Sequence, residues 1–248
     1  MRILRFAGFT LLDYLRSGRI AVEIITLMSV YVIFFRRPFD AEYMFSVLGA
    51  FAPLLTLYTA SALIGLVDRP QSYLLLVRGL SRADYLLGLF LAILVIVSAA
   101  YGTLCLAVAF LNRPPDLDLL GWIAGTTPLV LNVGLLAALM IMLSPLVFST
   151  GWRLFVLALI AMAFSSNFIG GTVLAQISPG WQSLLRAVQA LLGGPLVPAL
   201  YGYELATTRD YSTPTAFANV FAQLSLLISL LGLALYSFSR RDLIFSSQ

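Results

Sequence analysis

The chain has no lysine, no histidine and one cysteine, Cys105. Without histidine there is no Ser-His hydrolytic relay and no histidine-ligated metal or haem. Without lysine there is no G-x-x-x-x-G-K-[ST] loop, so the chain does not bind ATP in that way. One cysteine excludes an internal disulfide and a multi-cysteine metal cage; set among Leu and Ala, Cys105 reads as a small apolar packing residue. H-E-x-x-H and EF-hand loops are absent, and no paired carboxylates fall within an apolar run. Charge is scarce too: 10% of residues are charged, against about 25% in soluble domains.

What the chain has is apolar surface. Of its 248 residues, 60% are hydrophobic. No soluble core hides that much, so the expected solvent is lipid and the expected organisation is a single membrane domain spanning 1–248, with no internal repeat or low-complexity segment. The net charge of +4 is carried by arginine alone. The arginines border apolar runs, so membrane topology and lipid headgroups account for them, and nucleic acid is not an expected partner.

Residues 1–19 mix Arg2, Arg5, Asp13, Arg16 and Arg19 with Leu, Ile and Phe. Asp13 interrupts the apolar run and no A-x-A site follows, so this is not a cleavable signal. It reads as an amphipathic helix lying in the interface. Spans are expected at 20–35, 43–67, 85–112, 119–148, 154–176 and 216–239. The first is short against the roughly 20 residues a bilayer requires and carries Glu23, expected to pair with Arg19 or Arg16 at the membrane edge, or else to be an intramembrane charge on a transport path. Pro53 is expected to kink the second span, and in the fourth the helix proper is expected between Pro128 and Pro145. Asp116 and Asp118 read as solvated turn residues. The 178–213 stretch, broken by Arg186, Gly193, Gly194, Pro195 and Pro198, suits re-entrant or interfacial helices on the outer side, with Tyr201 and Tyr203 at headgroup level.

Arginine counting orients the chain. With the N-terminus inside, the inner segments carry ten (Arg2, Arg5, Arg16, Arg19, Arg69, Arg78, Arg82, Arg153, Arg240, Arg241) and the outer ones five (Arg36, Arg37, Arg113, Arg186, Arg209). Six spans then leave both termini cytoplasmic, in the cell (inner) membrane.

The loop at 68–84 is the most charged stretch between two long apolar segments. Three arginines (Arg69, Arg78, Arg82) and two aspartates (Asp68, Asp84) accompany residues able to form a short helix, begun by Pro70 and ended by Gly79. It continues Tyr73-Leu74-Leu75-Leu76-Val77-Arg78-Gly79-Leu80-Ser81-Arg82, then Leu86-Leu87-Gly88. In this run, and in the order of its elements, the chain resembles permease subunits of the ABC-2 family of ATP-binding-cassette transporters. It has glycine at 79 where proline is common in the family and leucine at 89 where lysine is common.

The resemblance implies an all-α polytopic permease without ATPase motifs of its own. ATP and magnesium would be bound by separate ATPase subunits. The 68–84 loop, through Asp68, Arg69, Gln71, Ser72, Tyr73, Arg78 and Arg82, would be the coupling helix seated on such a subunit. A second permease chain, identical or related, would complete the path for an exported cargo; the apolar spans suit a lipid-like or amphipathic one and would equally suit a path that excludes water, so drug, lipid, glycan and peptide all stay open. It also implies path residues at the polar places in apolar runs, Thr56, Thr59, Asn132, Ser165, Asn167, Asn219 and Gln223, and an outer gate at Gly193, Gly194, Pro195, Pro198, Tyr201 and Tyr203. A stand-alone secondary transporter and a non-transporting scaffold or assembly factor are the alternatives. The first needs ionisable groups deep in the spans; the second needs no coupling helix. A membrane enzyme would need catalytic groups that do not stand out.

Overall fold

The computed structural model describes residues 2–67, 80–147 and 197–240, together with Ser183. Every regular element among them is an α-helix: α1 (Arg2–Arg16), α2 (Ile20–Phe34), α3 (Ala41–Val67), α4 (Arg82–Leu111), α5 (Leu119–Met142), α6 (Val197–Thr208) and α7 (Pro214–Arg240). Four of these, α3, α4, α5 and α7, are long and apolar enough to cross a membrane, or five if the bent pair α1–α2 counts as one span. The chain is thus a helical, multi-pass membrane protein. The span expected at 154–176 lies outside the described residues, as do residues 178–182 and 184–196 of the 178–213 stretch.

α1 presents three faces. Phe6, Ala7, Thr10 and Tyr14 are buried against the protein; Leu4, Leu12 and Leu15 are exposed and apolar; Arg2, Arg5, Asp13 and Arg16 are exposed and charged. That division suits a helix lying in an interface, as the sequence predicts. Gly18 ends it at φ 73°, a left-handed conformation natural to glycine, and α2 leaves at 75° to α1. At 15 residues, α2 is about 22 Å long, short of the roughly 30 Å apolar layer.

Several boundaries differ from those expected, for identifiable reasons. α3 runs as one helix from Ala41 to Val67 with Pro53 inside it. α5 does not wait for Pro128. It begins at Leu119, where the Asp118 side chain accepts from the Gly121 N–H at 2.7 Å, and passes through Pro128. A proline leaves the carbonyl four residues back without its helical donor. Here that carbonyl, Ala124, accepts from the Tyr211 hydroxyl at 2.8 Å. α5 ends at Met142, short of residue 148, because Pro145 cannot continue a helix. The carbonyl it frees, Ile141, takes the Ser144 hydroxyl at 2.6 Å.

The helices alternate between two ends. At one end Phe6 stacks on Tyr85 (4.8 Å between centroids) and Tyr85 on Phe238 (6.2 Å), so α1, the start of α4 and the end of α7 meet. Gly88 makes room for this, since a Cβ there would lie 2.5 Å from the Phe6 ring. At the other end Asn112 donates to the carbonyls of Phe35 (3.0 Å) and Arg37 (2.8 Å). Asp116 accepts the Ala41 N–H at 2.9 Å and faces Arg209 at 3.7 Å. Asp116 and Asp118 are therefore helix-capping residues, beyond the merely solvated role their turn suggests. The core between the ends holds Met44, Phe45, Leu48, Leu63, Leu89, Ile93 and Ile141.

Candidate functional site

In a bundle surrounded by lipid, polar side chains inside are few and each needs a partner. Two groups of them stand out. The first joins α1, α2 and α3. Oε1 of Glu23 accepts from the Tyr14 hydroxyl at 2.6 Å and from Thr59 Oγ1 at 2.6 Å. Tyr14 and Thr59 are fully buried and Glu23 is 3% exposed. The expected pairing of Glu23 with Arg19 or Arg16 does not occur. Arg19 instead donates through Nη1 to the Ala62 carbonyl at 2.5 Å. Oε1 is already taken by two hydroxyls, and the Arg19 guanidinium is engaged by a carbonyl one turn further along α3. Glu23 is also the sole fully buried residue of α2, whose apolar contacts with the core are made by the partly buried Ile20, Leu27, Val30 and Tyr31.

The second group joins α5, α6 and α7. Gln223, fully buried, donates through Nε2 to Asn132 Oδ1 at 2.8 Å, and Asn132 donates through Nδ2 to the Ala199 carbonyl at 2.9 Å. Gln223 Oε1 is buried without a partner. Gly202 is required here, because a Cβ would meet Gln223 Nε2. Asn132 is mid-helix in α5, so α6 starts at mid-depth, and its 12 residues climb about 18 Å. It finishes at the Asp116 end, where Arg209 takes φ 57°. α6 is thus a half-length helix entering the bundle from one side.

The residues singled out in the sequence divide between these places. Thr59 belongs to the first group; Asn132 and Gln223 to the second. Thr56 is fully buried, but its hydroxyl donates to the Ala52 carbonyl of its own helix at 2.7 Å. Asn219, one turn from Gln223, lines an open groove of about 520 Å³ between α6 and α7 that Tyr201 also lines. Pro198 sits in the first turn of α6. Tyr203 turns the other way, onto Gly49 of α3, where a Cβ would lie 2.5 Å from its ring. Asp68, Arg69, Gln71, Ser72, Tyr73, Arg78, Ser165, Asn167, Gly193, Gly194 and Pro195 lie outside the described residues. Arg82 opens α4, and its Nη1 donates to the carbonyls of Phe238 (3.1 Å) and Ser239 (2.9 Å), closing the end of α7.

Sequence reasoning missed Tyr14 and Gly202. Tyr14 carried a signal, a hydroxylated aromatic on the apolar side of an amphipathic helix, but its partner is set by the Gly18 break. In the turn between α6 and α7, Asp210 is held below the usual carboxylate range by hydrogen bonds from the Ser212 side chain and backbone, and burial raises Tyr211. Among the described residues, no group of three metal-ligating side chains forms. Compared with known proteins, the chain matches no family model, no curated protein and no solved structure.

Proposed function

We propose that this chain is the permease subunit of an ATP-binding-cassette exporter of the ABC-2 type. It would pair with a second permease chain and be driven by separate ATPase subunits seated on the 68–84 loop. The observation that carries this reading is the meeting, at one end of the bundle, of the elements such a subunit would have to move. α1 packs along α4, α4 begins directly after the loop, and Arg82 ties that beginning to the end of α7. A push on the loop would reach α1, α4 and α7 together. The half-length α6, entering from the opposite end, supports the outer-gate role. The long apolar faces of α2 and α7, with Ile25, Met28, Phe221 and Ile228 exposed, leave room for lipid and a second chain. This reading puts both termini on the cytoplasmic side.

One observation favours the stand-alone secondary transporter: a carboxylate buried among α1, α2 and α3. Yet Oε1 of Glu23 already holds two hydroxyl donors, which suits a structural clamp.

The test is purification from the native membrane in mild detergent, with crosslinking. Capture of an ATPase bearing a Walker A loop, crosslinked at Asp68, Arg69 or Arg78, supports the proposal. A chain that stays folded and recovers no ATPase refutes it. Arg82 is a poor probe of coupling, since replacing it also uncaps α7; Arg78→Glu alone is the cleaner variant.

A further inference from the structure

The turn between α2 and α3 is held from several sides. Asn112, at the end of α4, donates through Nδ2 to the carbonyls of Phe35 and Arg37. Asp40 caps α3, its Oδ1 accepting the Tyr43 N–H at 2.8 Å. The rings of Phe35, Phe39 and Tyr43 follow one another at 5.1 and 6.0 Å between centroids. Beside this frame lies a pocket of about 400 Å³ whose lining includes Ile33, Phe34, Arg37, Phe39, Asp40 and Tyr43.

Two kinds of wall meet in it. Among the described residues, Arg37 is the lining's one cation and has no carboxylate within 4 Å. Asp40 is the lining's one carboxylate, and its Oδ1 is engaged by the cap. Glu42, in the next turn of chain, does not line the pocket. The other wall is apolar. Ile33, 69% exposed, and Phe34, 41% exposed, continue the exposed apolar surface of α2 through Val32 and Met28. A charged end is thus joined to a lipid-facing one. The length of α2 sets what Arg37 requires. The helix is about 8 Å shorter than the apolar layer, so a turn fastened to its end is drawn towards that layer. An arginine there needs an anionic partner, and a guanidinium takes phosphate through two parallel N–H donors.

We propose that this pocket holds the phosphate of a phospholipid headgroup on Arg37, with an acyl chain along Ile33, Val32 and Met28. The apolar wall decides for a lipid over free phosphate, which needs no such surface. The assignment concerns this chain alone and stands whether or not an ATPase drives it.

The test uses the full-length chain in a maltoside detergent, which carries no phosphate, with a phosphatidylglycerol bearing a diazirine at the start of one acyl chain. After irradiation the labelled peptides are quantified by mass spectrometry, with labelling of α1 as internal reference. Label is expected within 28–43, centred on Ile33 and Phe34. Arg37→Gln should lower it about tenfold or more, the loss of hydrogen bonds to a charged group. Arg36→Gln should leave it within about twofold, since Arg36 is exposed and lies outside the lining. Both side chains are exposed, so both variants should keep the unfolding temperature of the parent chain. Excess inorganic phosphate should not displace the lipid. Equal losses from the two variants would mean a diffuse basic rim and would overturn the proposal. So would labelling that ignores Arg37→Gln, no label within 28–43, or displacement by inorganic phosphate.

Discussion

Thr56 and Thr59 are fully buried and lie one turn apart on α3, and they differ in what their hydroxyls hold. Thr56 donates to the Ala52 carbonyl in its own helix, whereas Thr59 donates to Glu23 of another helix. Valine at each position therefore separates burial from bonding. Thr56→Val removes a local back-bond to a carbonyl that is already in the helical ladder, and the expected change is within about 0.5 kcal/mol. Thr59→Val removes one of two hydroxyls on a carboxylate oxygen. A hydrogen bond to a charged group contributes about 1.5–3 kcal/mol, against about 0.6 for an average neutral bond between helices in a membrane. The larger figure is expected here because the acceptor is a carboxylate oxygen inside the bundle that both hydroxyls share.

Cys105, the chain's lone thiol, provides the assay. A thiol-reactive dye that fluoresces on labelling is followed as the protein is heated in mild detergent. For a chain of this size about 1 kcal/mol corresponds to about 2–4 °C, so the melting temperature of Thr59→Val should fall by about 3–12 °C while that of Thr56→Val moves by no more than about 2 °C. Tyr14→Phe should match Thr59→Val, and the double variant should depart from additivity, since both hydroxyls share Oε1. Equal shifts for the two valines would refute the clamp.

Four further outcomes follow from the same geometry. Gly125→Ala should destabilise by about 1–3 kcal/mol, since its Cβ would meet the fully buried Phe45 ring, whereas Gly102→Ala, with nothing within 4 Å, should be neutral or stabilising by up to about 1 kcal/mol, both read from the Cys105 melting curve. Asp118→Ala should cost about 1 kcal/mol by uncapping α5, with Asp118→Asn close to the wild type in the same assay. Arg209→Gly should gain about 1 kcal/mol by relieving φ 57°, because the ion pair it loses is partly exposed and contributes about 0–1 kcal/mol; a clear loss would mean that Arg209 does more than close α6. Tyr211→Phe should cost about 1–3 kcal/mol by leaving the Ala124 carbonyl without a donor, and the combination with Pro128→Ala should recover most of it.

What the sequence made legible is what lipid dictates locally. Long apolar runs bounded by arginine gave α3, α4 and α7 to within a few residues, since a helix is the open structure whose backbone is satisfied within one segment; α5 was legible as a span, but it starts nine residues before Pro128 and ends six short of 148. The three-faced α1 was legible from its arginines and leucines, and the Asn219–Gln223 face from its spacing. The partners were not legible. The sequence offers Glu23 a partner in Arg19 or Arg16, or else a place on a transport path, but its oxygen is held by Tyr14 and by Thr59, 36 positions away. Asn132 and Gln223 were read as separate polar points along a path, yet they are 91 positions apart and bound to each other.

Proline shows why such contacts decide the architecture. Read alone, Pro128 starts a helix and Pro145 stops one, and the sequence offers no local reason to treat them differently. The difference lies in the donor available to each freed carbonyl. Pro128 leaves Ala124, and a tyrosine from the turn between α6 and α7 reaches it. Pro145 leaves Ile141, and the adjacent Ser144 satisfies it by folding back, which ends the helix there. The half-length α6 is consequently held at both ends by α5: at mid-depth through Asn132 and Ala199, and at the surface through the turn that supplies Tyr211. A movement that swings α6 away from α5 must break one of these two attachments, and one that parts α7 from α6 strains the Gln223–Asn132 bond. The Asn132 side rests on an amide network with an unmatched oxygen, so that is where opening should begin.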